Sequence, residues 1–228
     1  MPALTLLCWD IDGTLLTTAR AGVYAFEAAV EEVCGTACDL QGMRTAGMTD
    51  HEVAELAVET AGCEPDPALV ERVLRAYERN LPAALPRRRG RVLPGVREAL
   101  EDLAPRPGVE SVLLTGNTRA GAAAKLGHYG LGPFFPHGGA FCQGPGTREE
   151  IAARVLDVAR ALGASGGALD VVVIGDTPRD IACGEAIGAR TLAVASGAHT
   201  AEELAEHDPW LVVERIPEPE RFRRLLGV

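Results

Sequence analysis

Acidic and hydroxyl side chains stand where apolar runs stop. In LLCWDIDGTLL, residues 6–16, a short apolar segment ends in Asp10 and Asp12 and turns at once on Gly13. LLTGN, residues 113–117, closes on Thr115 and Gly116, and VIGDTPRD, residues 173–180, carries Asp176 and Asp180. A buried strand has no use for such carboxylates unless something compensates them, because an unpaired buried carboxylate is too costly to keep ionised. Drawn into one crevice, each pair about 4 Å apart would repel by about 1 kcal/mol in water and about 4 kcal/mol at an effective dielectric of about 20. A divalent cation resolves that conflict. Oxygen-only ligands, with no histidines or thiolates at zinc spacing, suit Mg²⁺. The same cation would shield an incoming phosphate from the acids that must attack it.

The elements needed to position these groups are legible around them. LTLLCWD reads as a buried strand closed by an Asp-Gly turn. In RAGVYAFEAAVEEV, Val23, Phe26, Val30 and Val33 recur at helical spacing. TDHEVAELAVETAG opens with Thr49 and Glu52 in capping-box spacing, and a third helix starts at Asp66 and Pro67. No strand intervenes among these three helices, which predicts a helical unit over residues 17–90. LPAALPRRRGRVLPG then breaks the periodicity, and four arginines in it read as a solvated connector. Beyond it, apolar strands alternate with helices, as in a parallel sheet covered on both faces. The first strand needs partners from that later set. The expected fold class is therefore α/β, a Rossmann-like parallel sheet core (residues 1–16 and 91–228) with an inserted helical cap domain. In such sheets the functional crevice lies at the carboxyl ends of the strands, and the acids and hydroxyl fall there.

Three motifs in this order and context, DIDGTL, LLTGN and VIGDTPRD, resemble those of the haloacid dehalogenase superfamily of phosphohydrolases, in its phosphoglycolate phosphatase-like subgroup with a helical cap. The resemblance covers almost the whole chain. It implies that Asp10 is the nucleophile that forms an aspartyl-phosphate and that Asp12 is the general acid and base. The carbon–halogen substrates of true dehalogenases are disfavoured, since those enzymes lack an acid at the position of Asp12. Asp10, Asp12 and Asp176 are implied as metal ligands, with Asp180 supporting them from behind. The Thr115 hydroxyl and the Gly116 amide are suited to hold a phosphoryl oxygen. The sequence departs from the family at its basic residue: where the family has lysine, the helix begins GTREE, so Arg148 is expected there, with Lys125 as the alternative. Arg44, Thr45, Thr49 and His51, in a polar loop between cap helices, are the candidates for reading the non-phosphate part of the substrate. The activity implied is Mg²⁺-dependent hydrolysis of a small phosphorylated metabolite such as phosphoglycolate or a sugar phosphate. A phosphomutase of the same superfamily and a phospho-accepting signalling module are the alternatives.

Bulk composition is compatible with this. A net charge of -10 gives no basic face for nucleic acid or an anionic membrane, so any phosphate must be held locally. No apolar run approaches the roughly 18 residues of a membrane span, and no basic stretch precedes the first apolar segment as in a secretory signal. A cytoplasmic monomer or homodimer is expected. The six cysteines form no CxxC pair and read as reduced filler.

Overall fold

The computed structural model describes residues 4–163 and 169–228. Its strands are β1 (Leu4–Trp9), β2 (Leu16–Thr17), β3 (Arg91–Val92), β4 (Val109–Thr118), β5 (Gly139–Cys142), β6 (Leu169–Gly175), β7 (Arg190–Val194) and β8 (Leu211–Val213). Its helices are α1 (Ala21–Cys34), α2 (Asp50–Thr60), α3 (Pro67–Ala84), α4 (Val96–Leu103), α5 (Arg119–Tyr129), α6 (Arg148–Ala161), α7 (Pro178–Ala186), α8 (Ala201–Ala205) and α9 (Pro219–Leu226). No described helix is long and apolar enough to cross a membrane.

Six strands form a parallel sheet in the order β5-β4-β1-β6-β7-β8. Strand β1 is central, with Trp9 beside Leu113 of β4 on one side and Ile174 of β6 on the other. From Leu6 to Trp9 it is fully covered, and its side chains alternate between two apolar layers: Leu7 and Trp9 on one face, Leu6 and Cys8 on the other. Trp9 packs against Phe222 of α9 and donates its indole N–H to Ser111 Oγ at 3.2 Å, so the residue beside Asp10 is core. This is the sheet expected from the sequence, with edges that were not: β5 and β8 are too short to show a period of their own.

Helices α1, α2 and α3 surround a separate apolar cluster. Its centre is Phe26 stacked on Tyr77, ring centroids 3.8 Å apart. Local signals start these helices. Thr49 and Glu52 exchange both bonds of a capping box, and the Asp66 carboxylate accepts from the Ala68 and Leu69 amides just before Pro67. The chain leaves for this unit through β2 and returns through β3, and these two pair antiparallel as a small ribbon, Leu16 with Val92 and Thr17 with Arg91. At the crossing, a side chain on Gly90 would meet Thr17 O at 2.4 Å and the Tyr129 hydroxyl at 1.9 Å. Only glycine lets the returning strand pass so close.

Candidate active site

Beyond Trp9 the chain keeps one more ladder bond, Asp10 N to Ile174 O at 2.9 Å, and then closes a tight turn in which Gly13 N donates to Leu16 O. Gly13 has φ 90°, the left-handed region that favours glycine. A Cβ there would also stand 2.3 Å from Asp176 Oδ2, and one on Gly197 would stand 1.7 Å from the same atom. Two glycines thus leave the room that the Asp176 carboxylate occupies. The Thr14 hydroxyl holds it, donating to Oδ1 at 2.9 Å, and Ser196 Oγ donates to the carbonyl of Gly13.

Asp10, Asp176 and Asp180 converge: one carboxylate oxygen from each lies within 4.8 Å of the others, and all three side chains are buried. Burial pushes the Asp10 carboxyl up to about 7, helped by the charge of Asp180 and opposed by Arg148. Burial, then Asp180 and Asp10, raise Asp176 well above the ordinary carboxylate range. The acids do not divide evenly. Asp180 has both oxygens engaged, Oδ1 with Arg148 Nη2 and Oδ2 with the amide and hydroxyl of Thr177. Asp10 and Asp176 keep oxygens facing the cavity.

The two basic candidates stand on opposite flanks. Arg148, at the start of α6, reaches Asp10 Oδ1 at 3.4 Å as well as Asp180. Its guanidinium is buried and held strongly protonated: burial alone would lower its pKa, but Asp180 and Asp10 raise it further. Lys125, on the inner face of α5, donates to Asp12 Oδ2 and Asn117 Oδ1, each at 2.5 Å. Burial again works against the charge, and Asp12 with Asp50 outweighs it. The sequence posed Arg148 and Lys125 as rivals; the structure places one on Asp10 and the other on Asp12.

The acids fit a divalent cation. The one buried guanidinium in contact with these acids reaches Asp10 and Asp180 but leaves Asp176 to others, and the excess negative charge and oxygen-only donors match a hard cation such as Mg²⁺. Asp12, expected with Asp10 and Asp176 at the metal, lines the same cavity with its Oδ2 on Lys125 and Asn117, and the Asp180 carboxylate lies close to those of Asp10 and Asp176. Thr115 and Gly116 lie buried behind these groups. The Thr115 hydroxyl accepts from the Asn117 side chain at 2.7 Å, and Gly116 lies where a Cβ would come within 2.8 Å of Met48 O.

Asp10, Asp12, Asn117, Lys125, Arg148 and Asp176 line one face of a cavity of about 380 Å³ whose opposite wall comes from α1, α2, α3 and the loop before α2. Arg44 and Thr45 are on that wall. Thr49 and His51 are not: Thr49 caps α2, and His51 is buried with Nδ1 3.6 Å from Glu55. The sequence reading missed four contributors. Asn117 ties Thr115 to Asp12, and Gly197 sits at a strand end that the same crevice rule could have flagged. Asp50 accepts from Thr118 N at 2.7 Å, and Arg179 donates to Glu52 Oε2 at 2.6 Å and to Gly47 O at 3.2 Å. Asp50 stood unremarked between Thr49 and His51, the two candidates that the cavity leaves out, and Arg179 carries no local signal.

Comparison with known proteins bears on the family and the fold. The chain is 28% identical over 220 residues, 93% of its length and 90% of the relative's, to a protein of Dickeya dadantii (strain 3937) named probable phosphatase IndB. The fold is shared with a predicted phosphatase from Clostridium acetobutylicum (TM-score 0.72, 16% identity, 100% of both chains). It is shared equally with a predicted phosphoglycolate phosphatase from Haemophilus somnus 129pt (TM-score 0.72, 16% identity, 97% of this chain and 96% of that one). Residues 7–185, from the strand before Asp10 to the helix after Asp176, match the haloacid dehalogenase-like hydrolase family, and the chain belongs to it.

Proposed function

We propose that this chain is a Mg²⁺-dependent phosphomonoester hydrolase that works through an aspartyl-phosphate on Asp10. The observation that carries the reading is the division of labour around one cavity: Asp10 faces Arg148 and Asp176, while Asp12 is held two residues away on Lys125 and Asn117. The names of similar proteins point the same way. Asp10 and Asp176 would hold the cation, which when bound supplies charge neutralisation for the acids and the phosphate.

The chain's own residues account for the rest. Arg148 binds phosphoryl oxygens and keeps Asp10 in place. Asp10 attacks phosphorus in line, forming an acyl phosphate as the ester P–O bond breaks, and Asp12 delivers a proton to the departing alkoxide. Asp12 then takes a proton from the water that attacks the same phosphorus, which frees Asp10 and releases phosphate. Lys125 and Asn117 hold Asp12 for both steps. The unit over residues 17–90 serves as a cap on the core formed by residues 1–16 and 91–228, excluding bulk water until the alcohol leaves.

A panel of phosphate esters assayed with and without Mg²⁺, beside Asp10→Asn, tests this. Turnover that needs the metal and is lost in the variant is the expected result. Inertness of the wild type toward every ester, p-nitrophenyl phosphate included, would overturn it.

A further inference from the structure

One buried acid on the cavity wall comes from the helical unit and not from the sheet. Asp50 is the first residue of α2 and lines the same cavity as Asp12 and Lys125. An acid at that position commonly serves its own helix, whose N-terminal dipole favours negative charge. This one crosses to the other unit. Its Oδ2 accepts from Thr118 N at 2.7 Å, where β4 gives way to α5. Gly121, in the first turn of α5, makes the room: a Cβ there would stand 3.1 Å from that oxygen and 3.4 Å from the Tyr77 hydroxyl.

Lys125 stands one helical turn beyond Gly121, on the same face of α5. Its ammonium is buried and donates to Asp12 Oδ2 and Asn117 Oδ1. Burial opposes that charge, and Asp12 and then Asp50 overcome the opposition. Burial likewise lifts the Asp50 carboxyl, and Lys125 is foremost among the groups that hold it down. The two acids that face Lys125 differ in constancy. In the mechanism above, Asp12 gives up a proton and takes one back, so for part of each turnover it carries no charge. A buried ammonium with no other counter-charge would then be left unpaired, which is costly. Asp50 takes no part in that exchange, and near neutral pH its charge stays.

We infer that Asp50 is a positioning residue: reaching in from the helical unit, its charge keeps Lys125 in place, and through Lys125 it keeps Asp12 aimed at the departing oxygen. This rests on the phosphatase reading above and deepens it. If the bond to Thr118 N were its whole purpose, Asp50 would be a tether for the loop before α2, and a neutral side chain with the same acceptor would serve as well.

The test separates the charge of Asp50 from its hydrogen bond. Asp50→Asn keeps a carbonyl oxygen for Thr118 N and removes the charge. Its kcat/KM is measured beside the wild type for p-nitrophenyl phosphate, whose phenolate departs without a proton, and for alkyl esters, whose alkoxide needs one. An alkyl ester is expected to lose about 30-fold, part of the roughly 100- to 10,000-fold that a positioned proton donor contributes, and p-nitrophenyl phosphate about 3-fold or less. Lys125→Met should show the same pattern, and adding Asp50→Asn to it should cost no more than about 2-fold further, because the two act in series. An equal fall for every ester, a variant as active as the wild type, or effects that multiply in the double variant would overturn the inference and leave the phosphatase reading standing. If Asp50→Asn does not fold, Asp50→Ser, which keeps an acceptor and no charge, carries the same comparison, and failure of both makes Asp50 a folding residue and overturns the inference. A wild type inert toward every ester removes the phosphatase reading and this inference with it.

Discussion

Asp176 shows how much of the site is made by what is missing. Its carboxylate fits only because Gly13 and Gly197 present no side chain to it. Gly197→Ala should therefore displace it and lower kcat by about 100-fold, as expected when a group in the chemistry shifts by about 1 Å. The melting temperature should change little, because the clash is with one carboxylate and not with the sheet. Full activity in that variant would show that Asp176 is dispensable. Asp50 allows a prediction about pH. Burial pushes its carboxyl up to about 6, against an ordinary 3.8, with Lys125 opposing. The folded chain therefore holds this proton more tightly than the unfolded chain does, and the contribution is complete below pH 3.8 and lost as pH rises through 6. With Asp50→Asn as a reference that cannot titrate there, the stability of the wild type relative to the variant should grow by on the order of 3 kcal/mol between pH 7 and pH 4. Denaturant melts at several pH values measure this, and a flat difference would mean that Asp50 is not desolvated as the fold places it.

At the scale of elements, the loop that brings Arg44 and Thr45 to the cavity is held to the sheet unit from two sides. Asp50 caps the amide of Thr118 at the end of β4, and Arg179 on α7 grips Glu52 and the carbonyl of Gly47. The Arg179–Glu52 pair is partly exposed, with side chains 45% and 34% accessible, so it contributes at most about 1 kcal/mol to stability. Its larger effect is on placement of the loop. Arg179→Ala and Glu52→Gln should each raise KM about 3- to 10-fold with a smaller change in kcat, and the double variant should be no worse than either single one. Additive effects would show that the two side chains act separately. These elements differ in how far the sequence revealed them. Thr49 with Glu52 and Asp66 with Pro67 announce helices because capping is a bond between neighbours in the chain. The pattern of β4 breaks at Gly116, yet the strand runs on to Thr118, because β5 and Asp50 supply partners from far away. Short β2, β3, β5 and β8 owe their existence to pairing, and no local spacing encodes them.

The whole molecule is a sheet unit with apolar layers on both faces and a helical unit with an apolar cluster of its own, joined by the β2–β3 ribbon and by α5, whose Ala124 and Tyr129 pack against the cluster inside α1–α3. What the sequence revealed of this was the order of the strand-end motifs and the run of helices between them. What it concealed was which residues would meet across the cavity: Asp12 with Lys125 spans 113 positions and Arg148 with Asp10 spans 138. Such a construction confines motion. The sheet core is buried on both faces, so β1, β4 and β6 have no route to local opening, whereas the loop over residues 41–49 is tied to the sheet unit through Arg179 and the adjoining Asp50, and the ribbon is held by two residue pairs. Amide hydrogen exchange should therefore be slowed by Mg²⁺ with orthovanadate, a phosphoryl mimic, chiefly in residues 41–49 and in the ribbon, and barely in β1, β4 and β6. In Arg179→Ala the loop should exchange faster without ligand and recover protection with it, since ligand contacts replace the lost anchor. Uniform protection across both units would instead mean that the chain stabilises as a single body and that the helical unit does not close over the site. The geometry opposes that outcome, because the two covalent crossings run side by side in the ribbon, where Gly90 lets two strands and Tyr129 meet without a side chain between them.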